Sequence, residues 1–365
     1  MTGKIRHYFA GGNTAKGFHH FFDSNLASLN RLWILKGGPG TGKSTLMKQI
    51  GHMWLEKGYD VEWIHCSADP DSLDGVIIPS LKVGLVDGTA PHIVEPTAPG
   101  AKEEYVNLGE AWERRILVQH LEEVKQYNRK IDECYKEAYS SFAEALLIHD
   151  EWEDIYIGNL DRKAANQLSQ SYIDDLFGKV SLNKKAEVKH RFLGAATFKG
   201  AVDYVPNLTY GLTKRYFIKG RPGTGKSTFL KKVAKKAENE GLDVEIYHCG
   251  FDPESLDMVI VRELGFAIFD STAPHEYFPE RDGDEIIDTY DKMIRKGTDE
   301  EHELIIQEIR KRYTDKMKEG TASLKRAKYL HDELESIYIQ AMNFEQVEKI
   351  QQSIHEQICE IAQTQ

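Results

Sequence analysis

The sequence predicts an α/β protein built from two repeated domains, each with a parallel sheet followed by a long helical arm. The chain matches itself over a long stretch, and each copy alternates short apolar runs with segments of helical spacing. The length supports the same prediction, because 365 residues, 41% of them hydrophobic, suffice for two domains of ordinary size.

The repeat is an ungapped match at a shift of 183 residues, which aligns 7–92 with 190–275. About 36 of the 86 aligned positions are identical, far more than chance gives. Further along, IHDEWEDIYI at 148–157 matches LHDELESIYI at 330–339, so the duplication includes the later part of each half. We therefore predict two domains, at 1–183 and 184–365. The lysine-bearing segment 181–191 is the predicted junction between them.

The first part of each half alternates predicted strands with predicted helices. Glycine ends both the first apolar run and the helical segment that follows it. Strands that alternate with helices favour a parallel sheet with right-handed crossovers. About three core strands per half are recognisable, with an extra strand at HYFAGG or HRFLGA. The predicted core strands are, in pairs, RLWILKG and RYFIKG, DVEWIHC and DVEIYHC, and KVGLVD and GFAIFD.

The second part of each half, at about 103–180 and 284–365, is polar and poor in Gly and Pro. Its apolar residues recur at three- and four-residue spacing, as in Ile131, Tyr135 and Ala138. This pattern predicts long helices that form antiparallel arms.

Each half contains one glycine-rich loop of the pattern G-x-x-x-x-G-K-[ST], loop 1 at 37–44 and loop 2 at 220–227. In such a loop, backbone N–H groups surround a phosphate, the lysine reaches the β/γ oxygens, and the serine hydroxyl binds Mg²⁺. Both loops lie between a predicted strand and a predicted helix, so we predict that each binds ATP with Mg²⁺. The predicted binding residues are Gly37, Gly38, Pro39, Gly40, Thr41, Gly42, Lys43, Ser44 and Thr45, and Gly220, Arg221, Pro222, Gly223, Thr224, Gly225, Lys226, Ser227 and Thr228.

The loops GGPGTGKST and GRPGTGKST resemble the Walker A motif of P-loop NTPases, and the doubled layout resembles uncharacterised tandem P-loop ATP-binding proteins of bacteria. The resemblance implies two P-loop NTPase-like domains, whose sheets usually have five strands. It also implies an acidic residue that holds Mg²⁺ after an apolar strand. The matching residues are Asp87 and Asp270. The predicted catalytic residues are therefore Lys43, Lys226, Asp87 and Asp270, and the predicted metal ligands are Ser44, Asp87, Ser227 and Asp270.

Other carboxylates compete for the magnesium or catalytic role. They follow the second predicted strand of each half, in the shared D-P pairs and S-L-D triplets. The competing residues are Asp69 and Asp252, and Asp74 and Asp257. The chain shows no NKxD pattern, which favours ATP over GTP.

Several histidines have both a structural and a functional interpretation. The pairs His65-Cys66 and His248-Cys249 favour packing, with metal or thiol chemistry as the alternative. His92 and His275 end T-A-P-H turns, where they contact a phosphate or substrate or are simply part of a turn fixed by proline. The pairs His149 and Glu153, and His331 and Glu335, lie one helical turn apart and favour surface pairs over a metal site.

Basic residues outside the loops leave further alternatives open. The basic segment 310–328 has three possible interpretations: a solvated helix face, a lid that closes over phosphates, or a surface that contacts RNA. Lys16 and Lys199 are each followed by glycine. Two interpretations stay open for them, a contact with the base of the nucleotide and a contact with the other domain. Arg221 is the one difference inside the loops, facing Gly38 in the alignment. It binds phosphate or carboxylate of the other half, which would make the two sites unequal, or it pairs with a surface acid.

Composition argues against several classes of protein. The net charge of −11 and pI near 5.7 disfavour broad nucleic-acid binding, although local basic patches survive this argument. No apolar run is long enough for a membrane helix, and the N-terminus lacks a signal-peptide pattern. We therefore expect a cytoplasmic protein, with reduced thiols at the widely spaced Cys66, Cys134, Cys249 and Cys359.

Together these features predict an ATP-binding tandem P-loop NTPase that hydrolyses ATP with Mg²⁺ and uses its arms to transmit nucleotide state to a protein partner. A nucleotide or metabolite kinase and an ATP-gated scaffold without turnover share the same loops and stay open as alternatives. The acceptor, the partner and the oligomeric state are not specified by the sequence.

Overall fold

The computed structural model describes residues 2–364, which form one continuous mixed sheet of twelve strands with helices on both faces and two separate two-stranded hairpins. Within that range, no helix combines the length and the apolar character needed to cross a membrane.

The first half supplies eight strands and five helices. Short 3-10 helices span Pro79–Leu81 and Leu108–Ala111. The strands are β1 Ile5–Phe9, β2 Gly11–Thr14, β3 Gly17–His20, β4 Arg31–Lys36, β5 Val61–His65, β6 Leu73–Ile78, β7 Val83–Asp87 and β8 Glu103–Asn107. The helices are α1 Phe22–Leu26, α2 Lys43–Glu56, α3 Arg114–Gln119, α4 Leu121–Ile157 and α5 Arg162–Phe177.

The second half repeats the order of the strands and of the long helices. A 3-10 helix spans Arg262–Leu264. The strands are β9 Val188–Phe192, β10 Gly194–Thr197, β11 Gly200–Asp203, β12 Lys214–Lys219, β13 Val244–His248, β14 Leu256–Val261, β15 Phe266–Asp270 and β16 Asp284–Asp288. The helices are α6 Val205–Leu208, α7 Lys226–Asn239, α8 Thr289–Met293, α9 Thr298–Glu301, α10 Glu303–Gln340 and α11 Phe344–Gln363.

The strand order is β16-β12-β15-β14-β13-β9-β1-β5-β6-β7-β4-β8, so the two halves share one sheet and meet at the antiparallel pair β1 and β9. The prediction of a parallel sheet was wrong for β6 and β14, which run antiparallel to both neighbours. The physical reason is local: only the short segment 79–82 connects β6 to β7, and a parallel pair needs a crossover of a dozen or more residues.

The edge strands β8 and β16 lie in segments predicted as the beginnings of the helical arms. They run parallel to the strands that lead into the two loops. Each half therefore contributes six strands to the sheet, more than the sequence indicated. Edge strands are short and half exposed, so they lack the continuous apolar run that marks a buried strand.

The two arms, α4 and α10, pack against each other as an antiparallel pair. Gly320 lies against the ring of Phe142, where an added Cβ would come 2.3 Å from a ring carbon, so the glycine permits this close approach. Part of the basic segment 310–328 pairs with acids of α4, as in Arg312 with Glu151 at 2.6 Å. That part is a helix-to-helix contact rather than a freely solvated face.

The helix that follows each arm packs on the sheet of the other half. Helix α5 contributes Ile173 and Phe177 to the core formed by α7 and the second half's strands. Helix α11 contributes Val347, Ile354 and Ile358 to the core around α2 in the first half. Each half thus covers its core with the last helix of the other half. The apolar face of a helix shows that it must be buried, but not on which half.

A buried network of charges joins the halves where β1 meets β9. Arg191 has no exposed surface, and its Nη2 lies 2.8 Å from Glu62 Oε2. Its Nη1 lies 3.3 Å from Glu245 Oε2, and Arg6 adds a contact to Glu62 at 2.7 Å. Burial alone would raise the pKa of Glu62, but Arg191 and Arg6 lower it to about 2. Burial also raises the pKa of Glu245, but the neighbouring arginines lower it further, so its pKa lies below the usual value.

Candidate functional site

Each glycine-rich loop joins a buried strand to a helix, as the sequence predicts. Loop 1 connects β4 to α2, and loop 2 connects β12 to α7. Gly40 and Gly42 have φ values of 67° and 86°, and Gly223 and Gly225 have 72° and 83°. Glycine adopts this left-handed region without the steric cost that a side chain adds. The loop backbone therefore depends on these residues.

The loop lysine lies beside the predicted magnesium aspartate in both halves. Lys43 Nζ is 3.6 Å from Asp87 Oδ2, and Lys226 Nζ is 3.4 Å from Asp270 Oδ2. Strands β4 and β7 are parallel neighbours, so their carboxyl ends meet at the same sheet edge. Lys43 Nζ also donates to the carbonyl oxygens of Gly37 and Gly38, at 3.0 and 2.9 Å.

The loop serines occupy equivalent positions in the two halves. Ser44 Oγ accepts a hydrogen bond from the Leu73 N–H at 3.0 Å, and Ser227 Oγ accepts one from the Leu256 N–H at 3.0 Å. A hydroxyl oxygen has two lone pairs, so one remains for a metal ion. Lysine, serine and aspartate together offer the charge and the oxygen ligands that a Mg²⁺–triphosphate requires.

A second carboxylate lies close behind the first. Asp74 is 2% exposed, its Oδ2 has no hydrogen-bond partner within residues 2–364, and its Oδ1 is 3.5 Å from His92 Nε2. Burial raises the pKa of Asp74. Burial, followed by the charge of Asp270, raises the pKa of the equivalent Asp257 to about 6. These rival residues therefore belong to the same acidic group as Asp87 and Asp270.

The other rivals, Asp69 and Asp252, form ion pairs with lysines from outside the loops. Asp69 Oδ2 lies 3.3 Å from Lys328 on α10, and Asp252 Oδ1 lies 3.2 Å from Lys16. Lys16 and Asp252 belong to different halves, as do Lys199 and Asp71, whose charged groups are 2.5 Å apart. The two Lys-Gly turns thus make contacts between the halves.

The His-Cys pairs are packed and hydrogen-bonded. His65 Nε2 lies 2.9 Å from His7 Nδ1, and its Nδ1 lies 2.7 Å from the Pro70 carbonyl oxygen. Burial lowers the pKa of His65 and of His248 to about 4, so both are neutral at physiological pH. Burial also raises the pKa of the Cys66 thiol, which disfavours the reactive thiolate.

The T-A-P-H histidines differ between the halves. His92 Nε2 lies 3.5 Å from Asp74 Oδ1. His275 Nδ1 instead lies 2.8 Å from Asp203 Oδ2. Burial lowers the pKa of His275 and the Asp203 carboxylate raises it, with a net increase. His20 stands where the second half has Asp203, so the first half lacks the equivalent ion pair.

The arm of one half reaches the loop of the other half, a contact that the sequence analysis missed. The Gly40 N–H donates to Glu335 Oε1 at 3.3 Å, and the Tyr338 ring packs against Gly38. At loop 2, an added Cβ on Gly223 would lie 2.5 Å from the backbone oxygen of Glu153. The repeated IHDEWEDIYI motif was the available signal, because it contains this turn in both halves.

A third polar residue lies near each of the predicted pairs His149–Glu153 and His331–Glu335. His149 Nδ1 is 3.9 Å from Glu153 Oε1, and Asp150 offers an oxygen within 4.8 Å of both. His331, Asp332 and Glu335 form the same triad on α10. The histidines and glutamates of these triads are partly buried beside the loops, so they are not simple surface pairs.

Arg221 pairs with an acid of its own half, which was one of the two predicted alternatives. Its Nη2 donates to Asp299 Oδ2 at 2.9 Å, and its guanidinium lies over the Tyr290 ring. Asp299 also accepts a hydrogen bond from the hydroxyl of Tyr156, on the first half's arm, at 2.8 Å. Loop 2 is thus connected to that arm through Asp299.

Each loop joins a strand to a helix and has lysine, serine and aspartate grouped at the same sheet edge, an arrangement similar to that of P-loop NTPases. Residues 201–364, which contain loop 2, match the KAP family P-loop domain. No curated protein and no solved structure matches the chain. The family match indicates nucleotide binding in the second half of the chain.

Proposed function

We propose that the protein is an ATP-binding tandem P-loop NTPase, with sequence domains 1–183 and 184–365, that hydrolyses ATP with Mg²⁺ and transmits nucleotide state to a protein partner. The observation that carries this proposal is the same lysine, serine and aspartate geometry at both loops, with lysine-to-aspartate distances of 3.6 and 3.4 Å. Duplicated geometry at two aligned loops is hard to explain without a shared ligand.

The chemistry of this site is positioning and charge stabilisation. Loop amides and Lys43 or Lys226 would hold the phosphates, while the serine and aspartate oxygens would hold Mg²⁺ in each half. The metal supplies positive charge to the phosphate oxygens when it is bound. A buried carboxylate of raised pKa, Asp74 or Asp257, lies next to the magnesium ligand and suits the orientation of an attacking water.

The arms suit a role in communication. Helix α4 has 37 residues and is about 55 Å long, and its C-terminal part lies against loop 2. Helix α10 runs the opposite way and ends at loop 1. Each arm therefore connects the two halves, and a change at one loop can displace a rigid helix that a partner contacts.

The direct test is phosphate release from ATP with and without Mg²⁺, repeated with a panel of small-molecule and nucleoside acceptors. We expect Mg²⁺-dependent release that the acceptors do not change. Transfer of phosphate to an acceptor would favour a kinase instead. Binding without release or transfer would favour an ATP-gated scaffold.

We expect Asp87→Asn to reduce Mg²⁺-dependent ATP affinity by about tenfold or more and to leave Mg²⁺-free affinity nearly unchanged, because the carboxylate acts through the metal. Titration with and without EDTA in a Lys226→Ala background isolates loop 1. Asp74→Asn is the matched comparison on the neighbouring strand. If Asp74→Asn produces this phenotype and Asp87→Asn does not, the magnesium ligand is Asp74.

We expect Arg221→Gly to change ATP affinity at loop 2 by less than about fivefold, because a half-exposed ion pair contributes about 1 kcal/mol or less. The measurement is ATP titration of the Lys43→Ala protein at low and high salt, since salt screens such a pair. A change of tenfold or more at low salt would show that Arg221 reaches the nucleotide.

A further inference from the structure

At loop 1, a carboxylate from the other half occupies a backbone donor of the phosphate site. Glu335 Oε1 accepts the Gly40 N–H at 3.3 Å, and the backbone of the same turn lies so close that a Cβ on Gly40 would be 2.8 Å from the Glu335 carbonyl oxygen. Residues 341–343 of the same chain segment are tied to 111–113 by backbone hydrogen bonds. The arm is thus docked at the loop.

Loop 2 repeats this arrangement with the roles of the halves reversed. The turn of α4 that contains Glu153 lies against Gly223, the counterpart of Gly40. The segment after α4 is tied to the second half by the Asp161 N–H, which donates to the Met293 carbonyl oxygen at 2.8 Å. The two sites are therefore related by an exchange of arms.

The charge at this contact opposes a polyphosphate. The loop amides and Lys43 form the positive environment that phosphates use, and a carboxylate oxygen competes for the same donors. His331 lies one turn before Glu335, where burial lowers its pKa against the raising effect of Glu335. A neutral imidazole does not cancel the carboxylate charge.

We propose that an arm of the other half occupies each nucleotide site and competes with the nucleotide, with the Glu335 carboxylate on α10 facing the phosphate position at loop 1 and Glu153 on α4 facing that at loop 2. The inference rests on the proposed function, since it concerns the same ATP sites. Glu335 competes with a phosphate oxygen for the Gly40 N–H, so ATP displaces it and moves the end of α10. Nucleotide binding at one half therefore changes the position of a helix that belongs to the other half.

The test is the ATP affinity of loop 1, measured by calorimetric titration of the full chain in the Lys226→Ala background. Glu335→Gln keeps the shape but weakens the competing acceptor, and we expect ATP to bind about tenfold more tightly. Glu333→Gln changes an exposed glutamate two residues away and should leave the affinity within about twofold. Thermal unfolding of each variant checks that the fold is retained.

The location is tested in the converse background, Lys43→Ala, where only loop 2 remains. There Glu335→Gln should have no effect beyond twofold, and Glu153→Gln should tighten ATP binding by about threefold, because the structure records no direct bond from its carboxylate to the loop. Unchanged affinity of loop 1 in Glu335→Gln, or equal effects at both loops, would overturn the inference while ATP binding stands. A wild-type protein that binds no ATP would instead contradict the proposed function itself.

Discussion

Lys43→Ala and Lys226→Ala are each expected to reduce the number of bound ATP molecules from two to one. Each lysine is the one side-chain cation within its own loop that lies beside the loop's aspartate, at 3.6 and 3.4 Å, so its loss removes the charge that holds the β and γ phosphates. The double variant should bind none. Titration with ATP and Mg²⁺ measures the stoichiometry directly.

Matched controls are available on the same helices. Lys48 and Lys231 lie five residues after the loop lysines, at aligned positions of α2 and α7. Their alanine variants should keep two sites with affinities near that of the wild type. Full stoichiometry in both Lys43→Ala and Lys226→Ala would show that the loops do not act as two separate nucleotide sites.

Arg191→Met is expected to lower the free energy of unfolding by about 3–5 kcal/mol, because it leaves two buried carboxylates without their shared cation. Arg191 is fully buried and contacts Glu62 and Glu245 at 2.8 and 3.3 Å. Urea unfolding at pH 7 measures the loss. Arg6→Met is the comparison, with a smaller loss expected, because the Arg6 side chain is 34% exposed.

The same network gives the stability a defined pH dependence. The folded-state pKa values of Glu62, about 2, and of Glu245 lie below the usual value for glutamate. The stabilisation is therefore fully present above about pH 4.5 and is lost as the pH falls toward about 2. The wild type should lose stability across this window, and the difference from Arg191→Met should shrink. A difference that stays constant down to pH 2 would contradict the role assigned to these carboxylates.

The local parts of the fold and site could be predicted because their causes lie in neighbouring residues. Positive φ at Gly40 and Gly42 requires glycine, and an apolar strand before the loop and a helical period after it identify the strand–loop–helix unit. The position of Asp87 beside Lys43 follows from parallel neighbouring strands, whose carboxyl ends share one edge. The edge strand β8 was missed because its exposed residues lack an apolar run.

The sequence by itself determined the duplication, the two loops, their predicted ligand class and the presence of long amphipathic arms. Only the tertiary structure decided that the halves share one sheet, that α5 and α11 cover each other's cores, and that Glu335 meets loop 1. The physical reason is that a periodic pattern shows which face of a helix must be buried but does not show which surface buries it. In a duplicated chain both halves offer a matching surface, and packing of the whole chain selects between them.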